Sequence, residues 1–481
     1  MFNASLLRFP LWSVIPLLVI YVALAFSAFN LDQVQQNAIL TIGVFLTATW
    51  LWICTKLEET YIALLAVFAL ILTGNLNEEH LYQAWGQDLI WLLIAAFVIA
   101  AGVFKTGLAT YCASQLLKYA HNTRTLCYLL TIFIVLSAFI IPSTSGRAAI
   151  ILPIFLGLAE ILKHQTHILK ALALLCPSII LLSAIGSYLG AGAHLITNQI
   201  LVEQGYPAFS LLSWLWLGFP FALVSSLACT ELILGLFTSK EDRSKPLNLS
   251  HLSVVDGHEE SAGQKLSALQ KRIICILAMI LGLWLTEPLH HISATMVAIF
   301  GALLMVTPSV GCIKFSQAVK TIPWALLMFM AATLAMGAAL IESGAIQLLT
   351  HSIFSKFDIQ HPSASIIFIA LMIIISLLSH LFIQSRSARS VVLIPIAISL
   401  APQFQVSPVA MAFISTAAAG FCHSLTSSAK PIAIFHQTET QTMFNAHDLL
   451  KLSFYLAPIM LVLLIIFSFI VWPMLGMPLL L

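Results

Sequence analysis

Ser143-Thr144-Ser145-Gly146-Arg147 leads into Ala148-Ala149-Ile150-Ile151-Leu152-Pro153-Ile154, and 242 residues further on Ser385-Arg386-Ser387-Ala388-Arg389 leads into Ser390-Val391-Val392-Leu393-Ile394-Pro395-Ile396. The stretches agree at Ser143/Ser385, Ser145/Ser387, Arg147/Arg389, Pro153/Pro395 and Ile154/Ile396. Each cluster of hydroxyls and guanidinium is flanked on both sides by apolar sequence. Such a pair, one in each half, predicts an internal duplication whose interrupted helices meet at a binding site midway across a membrane.

Composition supports that setting. The 481 residues are 60% hydrophobic and 8% charged, with a mean hydropathy of +1.01, against about 25% charged in soluble domains. About 20 apolar residues span the hydrocarbon layer as a helix; ten or eleven such runs occur, from residues 11–30 to 449–475. The expected fold is an all-α polytopic membrane protein of about 11 transmembrane helices plus two opposed re-entrant helical hairpins in an inverted repeat. The longest polar stretch, 238–271, has the size of a linker and leaves no room for a soluble catalytic domain. The first apolar run is too long for a signal core, and its one Ala-x-Ala, Ala23-Leu24-Ala25, lies inside it, so it reads as a retained span. Eight cysteines are scattered singly, with no spacing for a disulfide framework or a zinc site.

The runs 125–160 and 363–400 each carry a polar, basic tip in the middle, and their arms either cross the membrane or fold back as hairpins. With the N-terminus inside and both runs as hairpins, sixteen of the 21 basic residues fall on the cytoplasmic side, Lys356 alone falls outside, and Arg147, Arg386, Arg389 and Lys430 fall at membrane depth. Cytoplasmic loops collect Lys and Arg, so this asymmetry supports the topology. Five crossings between the tips make the hairpins enter from opposite faces. Phe104-Lys105-Thr106-Gly107 and Ile341-Glu342-Ser343-Gly344 close equivalent spans. The expected divisions are an N-terminal helix in 1–36, a first repeat in 37–237, a cytoplasmic linker in 238–271 and a second repeat in 272–481.

Ionisable residues at membrane depth are costly and mark function. All four here are cations. If Arg147 and Arg389 each begin the second arm of a hairpin, guanidinium, serine hydroxyls and the free N–H groups of a helix start face one point, which attracts an anion. The other reading has these arginines capping backbone carbonyls or pairing with acids elsewhere. Glu160, Glu231 and Glu342 lie near run ends or away from the tips. After each hairpin comes a second interruption, from Ser183 through Gly186, Gly190 and Gly192 to Asn198, and from Gly420 through His423-Ser424-Leu425-Thr426-Ser427-Ser428 to Lys430-Pro431. Unwound backbone at depth survives where it lines a cavity or is buried in protein. Lys430 either binds a substrate carboxylate or stands in the place of a coupling cation. His194 and His423 are candidate proton carriers, and His380 reads as a packing residue.

This arrangement resembles the divalent-anion:sodium symporter family, whose hallmark is a Ser-Asn-Thr tip on each of two opposed hairpins, each followed by an unwound helix. The Ser-x-Ser-x-Arg-Ala form with Pro153 is similar to its di- and tricarboxylate branch. A lone compact domain without targeting extensions suits a bacterial inner membrane, and the resemblance implies a homodimeric elevator transporter in the lipid bilayer. Its scaffold would be 37–120 and 272–357, and its mobile parts 123–203 and 362–436. It implies a small anionic substrate, a dicarboxylate or citrate, held by Ser143, Thr144, Ser145, Arg147, Ser385, Arg386, Ser387, Arg389, Thr426, Ser427 and Lys430. Ion coupling would involve Ser143, Gly190, Asn198, Ser385, His423 and Ser424, with sodium near the tips and no other cofactor. Nucleic acid is not among the implied partners. The chain departs from the pattern where Thr144 and Arg386 replace the motif asparagines, and where Lys430 and His423 stand in place of a Thr-Pro-Pro-Asn loop; a fixed cation there would replace sodium and favour exchange or proton coupling.

Two other classes compete. A membrane-embedded Ser/His enzyme is disfavoured because catalysis rarely needs two copies of one tip, and neither Gly-x-Ser-x-Gly nor His-Glu-x-x-His occurs. An oxyanion carrier for sulfate or arsenite keeps the architecture and changes the cargo.

Overall fold

The computed structural model describes residues 33–55, 57–247, 266–345, 348, 363–426, 428–436 and 442–481. Most of the expected N-terminal span, residues 248–265 of the linker, and Ser427 lie outside them. Every regular element among the described residues is a helix. In the first half these are α1 (Gln33–Cys54), α2 (Glu59–Leu72), α3 (Glu78–Trp85), α4 (Asp88–Lys105), α5 (Leu108–Leu117), α6 (Thr123–Ser137), α7 (Thr144–Ile161), α8 (Thr166–Leu182), α9 (Gly192–Glu203) and α10 (Leu211–Phe237). In the second half the main ones are α11 (Ala268–Leu285), α12 (Ala294–Val306), α13 (Trp324–Glu342), α14 (Ala364–Leu378), α15 (Arg386–Leu400), α16 (Pro408–Ala418), α17 (Lys430–His436) and α18 (Ala446–Ile466). Ten helical stretches among the described residues are long and apolar enough to cross a membrane, and α2, α6, α12 and α16 are shorter apolar helices.

The halves interlock in matched pairs. Helix α4 packs along α12 of the other half, and α2 packs along α13. Without a hydrophobic driving force between helices in lipid, close approach of small residues holds such pairs, and α13 buries Ala331, Ala332, Ala335, Gly337 and Ala339. The equivalent span ends are fastened alike. Gly107 (φ 65°) and Gly344 (φ 73°) take the left-handed conformation that follows a helix end. Two residues earlier, Lys105 Nζ donates to Gln317 Oε1 at 2.9 Å, and Glu342 Oε1 pairs with His80 Nε2 at 2.8 Å, each contact joining one half to the other.

Both tips form as expected. Helices α6 and α7 enclose the first, α14 and α15 the second. Ser143 and Ser385 are the N-caps of α7 and α15: Ser143 Oγ accepts from Gly146 N, and Ser385 Oγ from Ala388 N, both at 3.2 Å. The second interruptions also form. Helix α8 ends at Leu182, two short 3₁₀ turns follow, and α9 starts at Gly192; α16 ends at Ala418 and α17 starts at Lys430. Helix α9 packs on α15 and α17 on α7, so each half's broken helix leans on the other half's hairpin. Helix α8 is buried on nearly all sides, as an apolar helix without a polar face must be.

Candidate functional site

A helix break leaves carbonyls without partners, and in an apolar interior each needs a donor. At the end of α8, Ser183 Oγ donates to Ile179 O, Arg147 Nη2 to Ile180 O at 2.5 Å and Arg386 Nη2 to Leu181 O at 3.3 Å. Arg147 Nη1 also donates to Ser183 Oγ at 2.8 Å. Beyond α16, Gly420 O accepts from Arg386 Nη2 at 3.1 Å and Phe421 O from Arg389 Nη1 at 3.3 Å, while Arg389 Nη2 donates to Cys422 Sγ at 2.8 Å. Cations at helix C-termini also meet the negative end of the helix dipole. The carbonyl-binding reading of the arginines is thus realised, and it assigns them different places. Arg147 and Arg389 are 0% exposed, whereas Arg386 is half-buried and bonds to both breaks.

Among the described residues, none of the three arginines pairs with a carboxylate. Glu160 binds Lys163, Glu231 binds Arg124, Glu342 binds His80 and Asp448 binds Lys170. The Nε atoms of Arg147 and Arg389 have no hydrogen-bond partner among the described residues either. Within those residues the site therefore carries uncompensated positive charge in a low-dielectric interior, where charge is expensive unless paired.

The remaining residues distribute around this centre. Ser143, Thr144, Ser145, Ser385 and Ser387 are half-exposed at the tips. A Cβ on Gly192, the first residue of α9, would lie 3.2 Å from Ser387 Oγ, so the start of α9 meets the second tip closely. A Cβ on Gly190 would lie 2.1 Å from Ala184 O, which makes glycine obligatory there. Asn198 is engaged by protein: its Nδ2 donates to Tyr188 Oη and Phe209 O, and its Oδ1 accepts from Phe209 N at 2.6 Å. His194 is buried with Nδ1 on Ser187 O at 2.9 Å. His423 is fully buried with Nε2 unpartnered. Thr426 is half-buried and Lys430 is exposed as the first residue of α17; Ser427 lies outside the described residues.

Sequence reading missed several members. Cys422, one of the singly scattered cysteines, sits against Arg389. Thr197 and Thr416 share a hydrogen bond of 2.6 Å between the two broken helices. His380, read as packing, binds Ser424 Oγ at 2.8 Å. The available signal was position, because each lies in or beside an interruption, where polar groups find unpaired partners.

A citrate transporter family model (CitMHS) matches residues 49–418. A Staphylococcus saprophyticus protein described as the sodium-dependent dicarboxylate transporter SdcS is 25% identical over 88% of this chain and 84% of its own. Dicarboxylate transporter 1, chloroplastic, of Spinacia oleracea is 24% identical over 82% of this chain and 70% of its own. A Cupriavidus necator protein described as a membrane protein is 23% identical over 64% of this chain, which spans 60% of that protein's length. Among solved structures, the Alcanivorax borkumensis YdaH transporter superposes with a TM-score of 0.57 over 92% of this chain and 98% of its own, at 13% identity, a likeness of fold.

Proposed function

We propose that this chain, which belongs to the citrate transporter family, is a secondary transporter that moves small di- or tricarboxylates such as succinate, malate or citrate across the cytoplasmic membrane, with its N-terminus inside. The observation that carries the reading is Arg386, a half-buried cation with no carboxylate partner among the described residues, bonded to Leu181 O in one half and Gly420 O in the other. An anion reaching it meets the hydroxyls of Ser385 and Ser387 and the start of α9. Arg147 and Arg389 add long-range positive charge from behind while holding the backbone.

Movement follows an elevator: the hairpins and broken helices of 123–203 and 362–436 carry the anion against a scaffold of 37–120 and 272–357, in a homodimer. The interlocked pairs α4/α12 and α2/α13 support the scaffold assignment. Coupling is by sodium symport or anion exchange. The sodium-dependent relative's name supports the first; the guanidinium of Arg386 at a tip supports the second.

Uptake of labelled succinate, citrate and sulfate into proteoliposomes, with and without a sodium gradient or internal unlabelled anion, tests the reading. Carboxylate uptake supports it, and sodium stimulation or internal-anion stimulation separates the modes. Sulfate uptake alone would transfer the site to oxyanions, and uptake of none would remove it.

A further inference from the structure

A line of hydrogen bonds leads inward from the surface of α18 to the second tip. His447, Leu450, Lys451, Ser453, Phe454 and Tyr455 line an open cavity of about 630 Å³. Ser453 Oγ lies 2.8 Å from Ser424 Oγ, which stands in the break between α16 and α17. Ser424 Oγ lies 2.8 Å from Nε2 of His380, a fully buried ring beyond the end of α14. The other ring nitrogen, Nδ1, lies 2.8 Å from Leu377 O.

These contacts fix a direction. A carbonyl only accepts, so Nδ1 carries the ring proton and Nε2 is an acceptor. Ser424 therefore gives its one O–H to His380, and Ser453 gives its O–H to Ser424. Phe421 packs edge-on against the imidazole at 5.2 Å.

Resting on the transport reading above, we propose that Ser453, Ser424 and His380 are a proton relay that loads one proton at His380 when an anion occupies the second tip, so that a proton enters with the anion in net uptake. A proton from water in the groove joins Ser453 Oγ as Ser453 passes its own to Ser424 and Ser424 passes its own to Nε2. Each hydroxyl gains one proton and loses one, the imidazole becomes imidazolium, and hydroxyl rotation restores the line.

The electrostatic surroundings supply the link to the anion. Arg389 on α15 binds Phe421 O at 3.3 Å, and the Phe421 ring contacts both the His380 and the His423 rings, so both basic groups gather near His380 from within. At the outer end α18 presents His447 and Lys451, with Asp448 held by Lys170 at 3.0 Å. Imidazolium beside Arg389 is repelled strongly in a low-dielectric interior. An anion among Arg386, Arg389 and the tip serines cancels that repulsion, and by linkage the proton favours the anion equally.

The test uses the full-length protein in proteoliposomes loaded with a pH-sensitive dye, following labelled succinate and citrate in net uptake and in homo-exchange. Homo-exchange moves the same species both ways and needs no net proton entry. In the wild type, net uptake brings protons into the lumen. Ser453→Ala lowers net uptake and proton entry about tenfold or more, leaves homo-exchange near the wild-type rate, and Ser453→Thr restores both. Net uptake without proton entry in the wild type overturns the relay alone, as do homo-exchange without any net uptake in the wild type and unaltered proton entry in Ser453→Ala. Loss of homo-exchange together with net uptake in Ser453→Ala also overturns it, because a serine that merely packs would behave so. No homo-exchange in the wild type overturns the transport reading and the relay with it.

Discussion

Arg147 and Arg389 are structural equivalents: each is the fourth residue of its helix, each is fully buried, and each binds a carbonyl at the following break of its own half, Ile180 at 33 positions and Phe421 at 32. A buried carbonyl left without a donor costs about 1–3 kcal/mol. Arg147→Ala and Arg389→Ala should therefore each lower the thermal unfolding midpoint in detergent, beyond any effect on uptake. An unchanged midpoint in both variants would mean that water replaces the guanidiniums and that they are not anchors.

Arg386 should behave differently. Gly420, one of its two acceptors, is half-buried like the Arg386 side chain itself, so water entering the vacated space can satisfy the freed carbonyls. Arg386→Ala should hold the midpoint close to wild type and lower anion uptake about tenfold or more, the loss of one charge-assisted contact. The pattern across the three alanine variants, two unstable and one inactive, is the measurement; a uniform pattern would remove the division of labour.

Much of this is legible in the sequence. The repeated tips, their serine caps, both pairs of helix breaks and the matched span ends all follow from polar residues interrupting apolar runs at equivalent places. Side-chain direction was not legible. Charge and depth place Arg147 near a helix start, but only the packing of α7 on α8 decides that its guanidinium meets Ile180 O. Asn198 lies in the right segment for an ion site, yet Tyr188 and Phe209 take both its donors and its oxygen accepts from the Phe209 amide. His380 gave no signal because Ser424, its partner, and Ser453, the partner of Ser424, lie 44 and 73 positions away in the chain.

Two glycines of the first break should separate folding from transport. At Gly190 a Cβ would stand 2.1 Å from Ala184 O, an overlap with backbone that nothing nearby can relieve. Gly190→Ala should fail to give folded protein by size-exclusion chromatography. At Gly192 the nearest neighbour is Ser387 Oγ at 3.2 Å, the movable end of a side chain. Gly192→Ala should fold and show weaker anion affinity, because it crowds the second tip, and Ser387→Ala in the same chain should not recover it. Equal behaviour of the two alanine variants would contradict this geometry.

The contacts at the equivalent span ends should matter little for stability. His80–Glu342 is partly exposed, and such pairs contribute about 0–1 kcal/mol. Glu342→Gln should shift the unfolding midpoint only slightly, and a double-mutant cycle with His80→Gln should return a coupling below about 1 kcal/mol. A larger coupling would show that these cross-half contacts carry the interlock, in place of the small-residue packing of α13.

Arg386 also stands where the resembling family carries asparagine, and that exchange bears on the coupling ion. A guanidinium is a fixed positive charge that repels a sodium ion, whereas an asparagine oxygen can help to coordinate one. If the arginine has taken the cation's place at the second tip, then Arg386→Asn removes the fixed charge and restores an oxygen ligand. Uptake by Arg386→Asn should then be slow without sodium and rise with an inward sodium gradient, while the wild type in the same vesicles responds to internal anion. The control is Arg386→Leu, which removes the charge and supplies no ligand, and should stay slow with or without sodium. Sodium stimulation of the wild type equal to that of Arg386→Asn would mean that the ion binds elsewhere and that the guanidinium serves the anion alone.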